Sequence, residues 1–238
     1  STKNFFPFFF DLLGTILCLF SFSFLVYWVY DLSWDGQAYH IPIFLRIADG
    51  WNYFSQGPDH YFTNYTRGVW IADGLVYSLT GLMESAKIWV FALIPAAILW
   101  VNLIIKDCYS TFWRILFLLA VGISPIVIVQ SFTFLVDGIL YLWEVLLLCS
   151  LMQFYRKNSK ASVAMVLVAT SGLISTKLSG LFYAGFMHLA FLLWVMIQKK
   201  PLVSFKKSFF LSFASIAAAF FLVCASPYVM NTYKHLNP

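Results

Sequence analysis

Apolar runs long enough to cross a bilayer recur along the whole chain, and no other feature restricts its fold as much. A spanning helix needs about 20 apolar residues, each rising 1.5 Å, to cross ~30 Å of hydrocarbon. On that template the sequence predicts seven crossings, at 8–28, 88–105, 115–129, 135–154, 161–176, 181–197 and 208–225. Pro95 falls inside the second and predicts a kink there, and the third contains Pro125. The third and fifth are short, so the fifth is expected to end with its tip inside the protein. With 61% of residues hydrophobic and only 11% charged, a soluble fold is excluded, because water has no way to hide that much apolar surface. The expected fold class is therefore all-α: a polytopic membrane protein, a single transmembrane module over 1–238. The chain begins at Ser1 and turns polar in SPYVMNTYKHLNP, which reads as a piece of a longer protein, one that need not be active by itself.

Lys and Arg orient such a module, since they accumulate in cytoplasmic loops. If Ser1 is cytoplasmic, the inner side receives Lys3, Lys106, Arg114, Arg156, Lys157, Lys160, Lys199, Lys200, Lys206 and Lys207. The outer side receives Arg46, Arg67, Lys87, Lys177 and Lys234. The net charge of +5 is then explained by topology and contact with anionic membrane lipids, and no nucleic-acid partner is implied. Cys18, Cys108, Cys149 and Cys224 fall in spans or on the inner side and suggest no disulfide framework.

The long first outer loop, 29–87, is far longer than two neighbouring helices need and gathers acids and histidines on one face. The chemistry is expected there. AYHIPIFLRIADG and RGVWIADGLVYSLTG each carry apolar residues at helical spacing, with Gly50 and Gly81 in stopping positions. Both read as amphipathic helices lying on the membrane surface, apolar face down and polar face toward solvent. The loop opens with SWDGQAYHIP. Asp35 is either a helix N-cap or a reactive carboxylate, and Tyr39 shares its helical face at i+4. His40 is either a hydrogen-bonded interfacial residue or a ligand contact. Asp59, His60 and Arg67 are solvated loop residues on the plainer reading.

Inside the spans, ionisable residues stand out because a charge at the bilayer centre costs ~2.5–3.5 kcal/mol on insertion scales. Asp137 lies at the outer end of the fourth span, Glu144 follows seven residues later, and Lys177 marks the outer tip of the fifth and sixth. They either reach the headgroups or line a polar pathway. The alternative function that follows from a pathway is a transporter or lipid flippase.

Four stretches together resemble the membrane-embedded GT-C-fold glycosyltransferases, the group of protein O-mannosyltransferases and lipid A aminoarabinose transferases. They are SWDGQAYHIP after a first span, HYFTNYTRGVW, QSFTFLVDG, and ISTKLSG together with SPYVMN. The resemblance implies a GT-C-like module that moves a hexose or pentose, with inversion, from a polyprenyl-phosphate donor to a lipid, glycan or protein acceptor. Asp35 matches the catalytic acid of that family, with Asp31 as its rival for the role of base. Arg67 and Lys177 are the outer-face cations expected to receive the phosphate. Asp59 and His60 are expected to orient the acceptor or help hold a divalent cation, Mg or Mn. Tyr39, His40, Asp137, Tyr228 and Asn231 are expected to complete the substrate site. The implied setting is a bacterial inner membrane, with the amino terminus cytoplasmic and the active loop periplasmic.

Overall fold

The computed structural model describes residues 24, 26–50, 65–198 and 202–221. Among them every regular element is helical. A wide π turn over Gly36–His40 leads into α1 (Ile41–Ala48); α2 is Gly68–Thr80, and a 3₁₀ turn at Glu84–Trp89 continues into α3 (Val90–Ile105). Then follow α4 (Thr111–Gly122), α5 (Pro125–Ser131), α6 (Asp137–Lys157), α7 (Lys160–Thr176), α8 (Leu178–Ile197) and α9 (Phe205–Ala219).

Three segments are long and apolar enough to cross a membrane: Glu84–Ile105, Asp137–Lys157 and Leu178–Ile197. A fourth is the pair α4 and α5, which meets at a 43° bend. The bend has a local cause. Pro125 has no amide proton and forces Ser124 into an extended conformation, φ −51° and ψ 133°, so the helix stops and restarts. Pro95, by contrast, lies inside an uninterrupted α3, where it removes one backbone bond without ending the helix. The 17-residue α7 is shorter than a full span, as its length in the sequence requires. Most of the first predicted span and the end of the seventh lie outside the described residues, and the fifth, α7, falls short of a crossing, so the described helices carry three or four of the seven expected crossings.

The interior is arranged around α6. Two thirds of its apolar window is buried, against about a quarter for the other two long spans, and α3, α5, α7 and α8 all pack on it. Leu142, Leu146, Leu147 and Leu151 form its buried seam, and Leu173, Ile174 and Phe191 meet it from α7 and α8. α9 closes on α7 and α8. A buried polar clasp ties these three helices: His188 of α8 contacts Thr170 Oγ1 through Nε2 and Ser212 Oγ through Nδ1, each at 3.0 Å. In lipid such bonds hold helices together because the unpaired alternative is costly.

Turns place the polar residues at opposite ends. α6 ends at Asn158, in the left-handed conformation, and Ser159 caps α7 in a reciprocal capping box with Ser162. Arg156 reaches across to donate to the Ile104 carbonyl at 2.6 Å, so α3 and α6 end together at a basic surface. At the other end α7 and α8 are joined by one extended residue, Lys177, φ −158° and ψ 156°.

At that second end α1 and α2 pack together and on the 3₁₀ turn and α7. Gly50, φ 90°, and Gly81, φ 68°, stand just past the two helices, as expected. The amphipathic pattern of α2 is not the expected one. Asp73 is buried, donated to at Oδ1 by Trp89 Nε1–H at 2.6 Å, while Ile71, Leu75 and Leu79 form an outward apolar stripe. A side chain with a hydrogen-bond donor inside and apolar neighbours outside reverses the face that helical periodicity alone assigns.

One polar node joins the three segments that meet here. Lys87 Nζ is buried, ion-paired with Glu84, and donates to the carbonyls of Val29 at 2.9 Å and Phe132 at 3.0 Å. Asp31 accepts from the amides of Ser33 at 2.8 Å and Phe134 at 2.7 Å, and its own amide points to Glu84 Oε2 at 3.3 Å. Removing one partner of such a buried pair leaves a stranded charge. Lys87→Met is expected to cost about 3–5 kcal/mol of unfolding free energy, measured by denaturant titration in detergent micelles, and the double change Glu84→Gln with Lys87→Met to recover at least half of it. A single variant as stable as the parent sinks this account of the node.

Candidate functional site

The node sets the residues around Asp35 against the start of α6, and between them and the tip of the α7–α8 hairpin an open hollow lies, with about 430 Å³ of empty space that includes open solvent. Each wall has a local origin. Asp35, Tyr39 and His40 come from the π turn, in which the Ile41 amide donates to the Gly36 carbonyl. That winding aligns residues four to five apart, so His40 joins the Asp35–Tyr39 face that ordinary helical spacing predicts. Gly36 is required: a Cβ there would lie 2.0 Å from Asp31 Oδ2. Tyr65, Thr66, Val69 and Trp70 come from the entry to α2, brought against α7 by Gly68, whose added Cβ would meet Ser175 Oγ at 2.4 Å. Leu135, Val136 and Asp137 lead into α6, and Thr176 and Lys177 form the hairpin tip.

Asp35 sits where an N-cap would, yet its carboxylate makes no cap bond. It is half-buried and has no hydrogen-bond partner among the described residues. Lys177 Nζ donates to Asp137 Oδ1 at 2.8 Å, and both side chains are 43% exposed, an ion pair open to the hollow. Asp137 and Lys177 thus line one hollow together with Asp35. His40 is 4% exposed and accepts at Nδ1 from Trp70 Nε1–H at 2.6 Å. Burial pushes its pKa down to about 4, against the opposing pull of Asp35, Asp31 and Asp137 and with a smaller push from Lys177. The rings of Tyr39 and His40 lie 4.4 Å apart, Tyr39 and Tyr65 6.2 Å, and Tyr65 and Trp70 6.4 Å, making one wall aromatic.

Five residues singled out in the sequence thus share one cavity: Asp35, Tyr39, His40, Asp137 and Lys177. Others do not. Asp31 stands beside the hollow with both carboxylate oxygens held by backbone amides. Arg67 is buried at the start of α2 and does not line the cavity. Glu144, farther along α6, is also absent from its walls. Asp59, His60, Tyr228 and Asn231 lie outside the described residues. Sequence reasoning missed Tyr65, Thr66, Trp70 and Thr176. No protein-family model, curated protein or solved structure matches this chain.

The hollow offers a carboxylate with no hydrogen-bond donor among the described residues, an ammonium paired with a second carboxylate, an imidazole and a run of tilted aromatic rings. Two carboxylates, Asp35 and Asp137, face it, and the second is engaged with Lys177. Among the described residues no three His, Cys, Asp or Glu side chains gather as a cation cage.

Behind the aromatic wall, burial raises the Asp73 carboxyl to about 8, opposed by the Trp89 hydrogen bond and by Lys87. Its Oδ2 is buried without a hydrogen-bond partner among the described residues. The folded protein thus holds a proton there that the unfolded chain loses near pH 4. That contribution to stability is complete below pH 4 and declines as pH rises through about 8. Asp73→Asn, which keeps the acceptor for Trp89, is expected to flatten this decline. Melting temperatures of both proteins at pH 5 and pH 8 measure it, and parallel slopes would refute a protonated Asp73.

Proposed function

We propose that this hollow is the active site of a membrane glycosyltransferase that moves a sugar from a polyprenyl-phosphate donor to an acceptor hydroxyl, with inversion. The observation that carries the reading is that Asp35, free of any capping bond, lines the same cavity as Lys177. Glycosyl transfer of this kind needs a base on one side of the anomeric carbon and positive charge on the other.

In the proposed reaction Asp35 takes the proton of the acceptor hydroxyl while its oxygen forms the new bond to the anomeric carbon. The bond from that carbon to the phosphate oxygen breaks, and its electron pair stays on the phosphate. Lys177 exchanges Asp137 for the phosphate as this charge develops. Tyr39, Tyr65 and Trp70 supply faces on which a sugar ring stacks. Asp31 is not the base in this scheme, since two backbone amide donors already occupy its oxygens. Arg67 is withdrawn from phosphate contact and assigned to holding the entry of α2.

The membrane setting is proposed on the same basis. Lys106, Arg114, Arg156, Lys157, Lys160, Lys206 and Lys207 cluster at the helix ends remote from the hollow. By the preference of basic residues for the cytoplasm, the hollow then faces the outer side, periplasmic in a bacterial inner membrane. The module is taken as a GT-C-like arrangement of seven spans.

The test uses the full chain in lipid nanodiscs with a polyprenyl-phosphate hexose. Asp35→Asn is expected to lower transfer ~10²–10⁴-fold while donor binding is kept. Lys177→Met is expected to weaken donor binding about 10-fold or more, the loss of a charge-assisted hydrogen bond. Transfer unaffected by Asp35→Asn would remove the proposed base, and loss of transfer only in Asp31→Asn would reassign it.

A further inference from the structure

His40 is almost wholly buried, yet it lines the hollow, and among the described residues only one of its nitrogens has a hydrogen-bond partner. Trp70 Nε1 is a hydrogen-bond donor and nothing else. At 2.6 Å from His40 Nδ1 it requires that nitrogen to be the acceptor. In a neutral imidazole the single proton must then reside on Nε2. Nε2 has no hydrogen-bond partner among the described residues, and His40 is a lining residue of the hollow, so this N–H is the one a bound molecule could use. We propose that His40 is a fixed, uncharged donor that binds a hydroxyl oxygen of the ligand's sugar, and that Trp70 is the residue that positions it.

The inference rests on the glycosyl-transfer reading of the hollow and adds to it a determinant of sugar recognition. A neutral donor suits a hydroxyl better than a phosphate, for which Lys177 already offers full charge. The charges that face His40 are Asp31 and Asp35 at the loop start, Asp137 on α6 and Lys177 at the hairpin tip. Three of the four are acids that favour an imidazolium. Desolvation outweighs them, and the Trp70 bond acts in the same direction, because protonating Nδ1 would set two donors against each other. Losing the Trp70 N–H releases both constraints, so the ring becomes free to flip and to titrate near its ordinary range.

The experiment combines spectroscopy and binding on the full chain in nanodiscs. With histidine labelled by nitrogen-15, the His40 signal, assigned by its loss in His40→Gln, is expected to show the Nε2–H tautomer unchanged from pH 8 to pH 5. In Trp70→Phe the same ring is expected to show mixed tautomers and to titrate within that range. Binding is measured with a polyprenyl-phosphate hexose and with the same polyprenyl phosphate lacking the sugar. His40→Ala is expected to weaken the sugar-bearing probe about 3- to 10-fold, the value of one neutral hydrogen bond, and to leave the bare phosphate unchanged. His40→Gln, which retains an N–H donor, is expected to restore most of that loss. Trp70→Phe is expected to make binding of the hexose probe weaken as pH falls from 7 to 5. An Nδ1–H tautomer, a wild-type His40 that titrates in this range, or equal loss for both probes overturns the inference, even where Asp35-dependent transfer persists. Failure of both probes to bind the wild type overturns the glycosyl-transfer reading and, with it, the sugar contact.

Discussion

The buried pairing of Lys87 with Glu84, extended by Asp31, is the constraint on which this end of the molecule depends. Three stretches of chain meet there that no hydrophobic pattern would bring together: residues 29–31, the lead into α3 and the loop before α6. A buried ammonium tolerates only a geometry in which all its donors find oxygen, and a buried carboxylate only one in which amides reach it. The node therefore fixes position where apolar packing supplies adhesion. Asp35 follows Asp31 by one turn of chain, and Asp137 follows Phe134 by three residues. Both side chains of the hollow are thus set by the same anchor.

The apolar frame was legible from residue order because lipid-crossing helices must satisfy their own backbone bonds and need length to do so. The stretches around α3, α6 and α8 and the stopping glycines Gly50 and Gly81 were readable locally, whereas the kink expected at Pro95 does not interrupt α3 and the chain breaks at Pro125 instead. Asp35, Asp137 and Lys177 were readable as anomalies, acids and a cation where the surroundings favoured none. What residue order did not contain was their meeting, since proximity between the first loop and the α7–α8 tip is a property of packing and has no period. Nor did it separate Asp31 from Asp35: only the amide donors around the first, and their absence around the second, distinguish a structural carboxylate from an available one.

Trp70 shows the limit most clearly. In a chain this rich in aromatics a tryptophan near an interface has an ordinary explanation, anchoring at headgroup depth, and nothing in its neighbours contradicts that. Its meaning comes from the indole proton and the imidazole opposite. Asp73, one turn farther along α2, likewise reads as a polar-face residue until its burial against Trp89 is seen.

The link between α7 and α8 has a mechanical consequence. A connection of one residue contains no slack, so any change in the tilt between those two helices must be absorbed by the two backbone torsions of Lys177. Its side chain is carried on those same torsions. The ammonium therefore behaves as the pointer of a hinge, moving when the buried hairpin flexes and still when it is rigid.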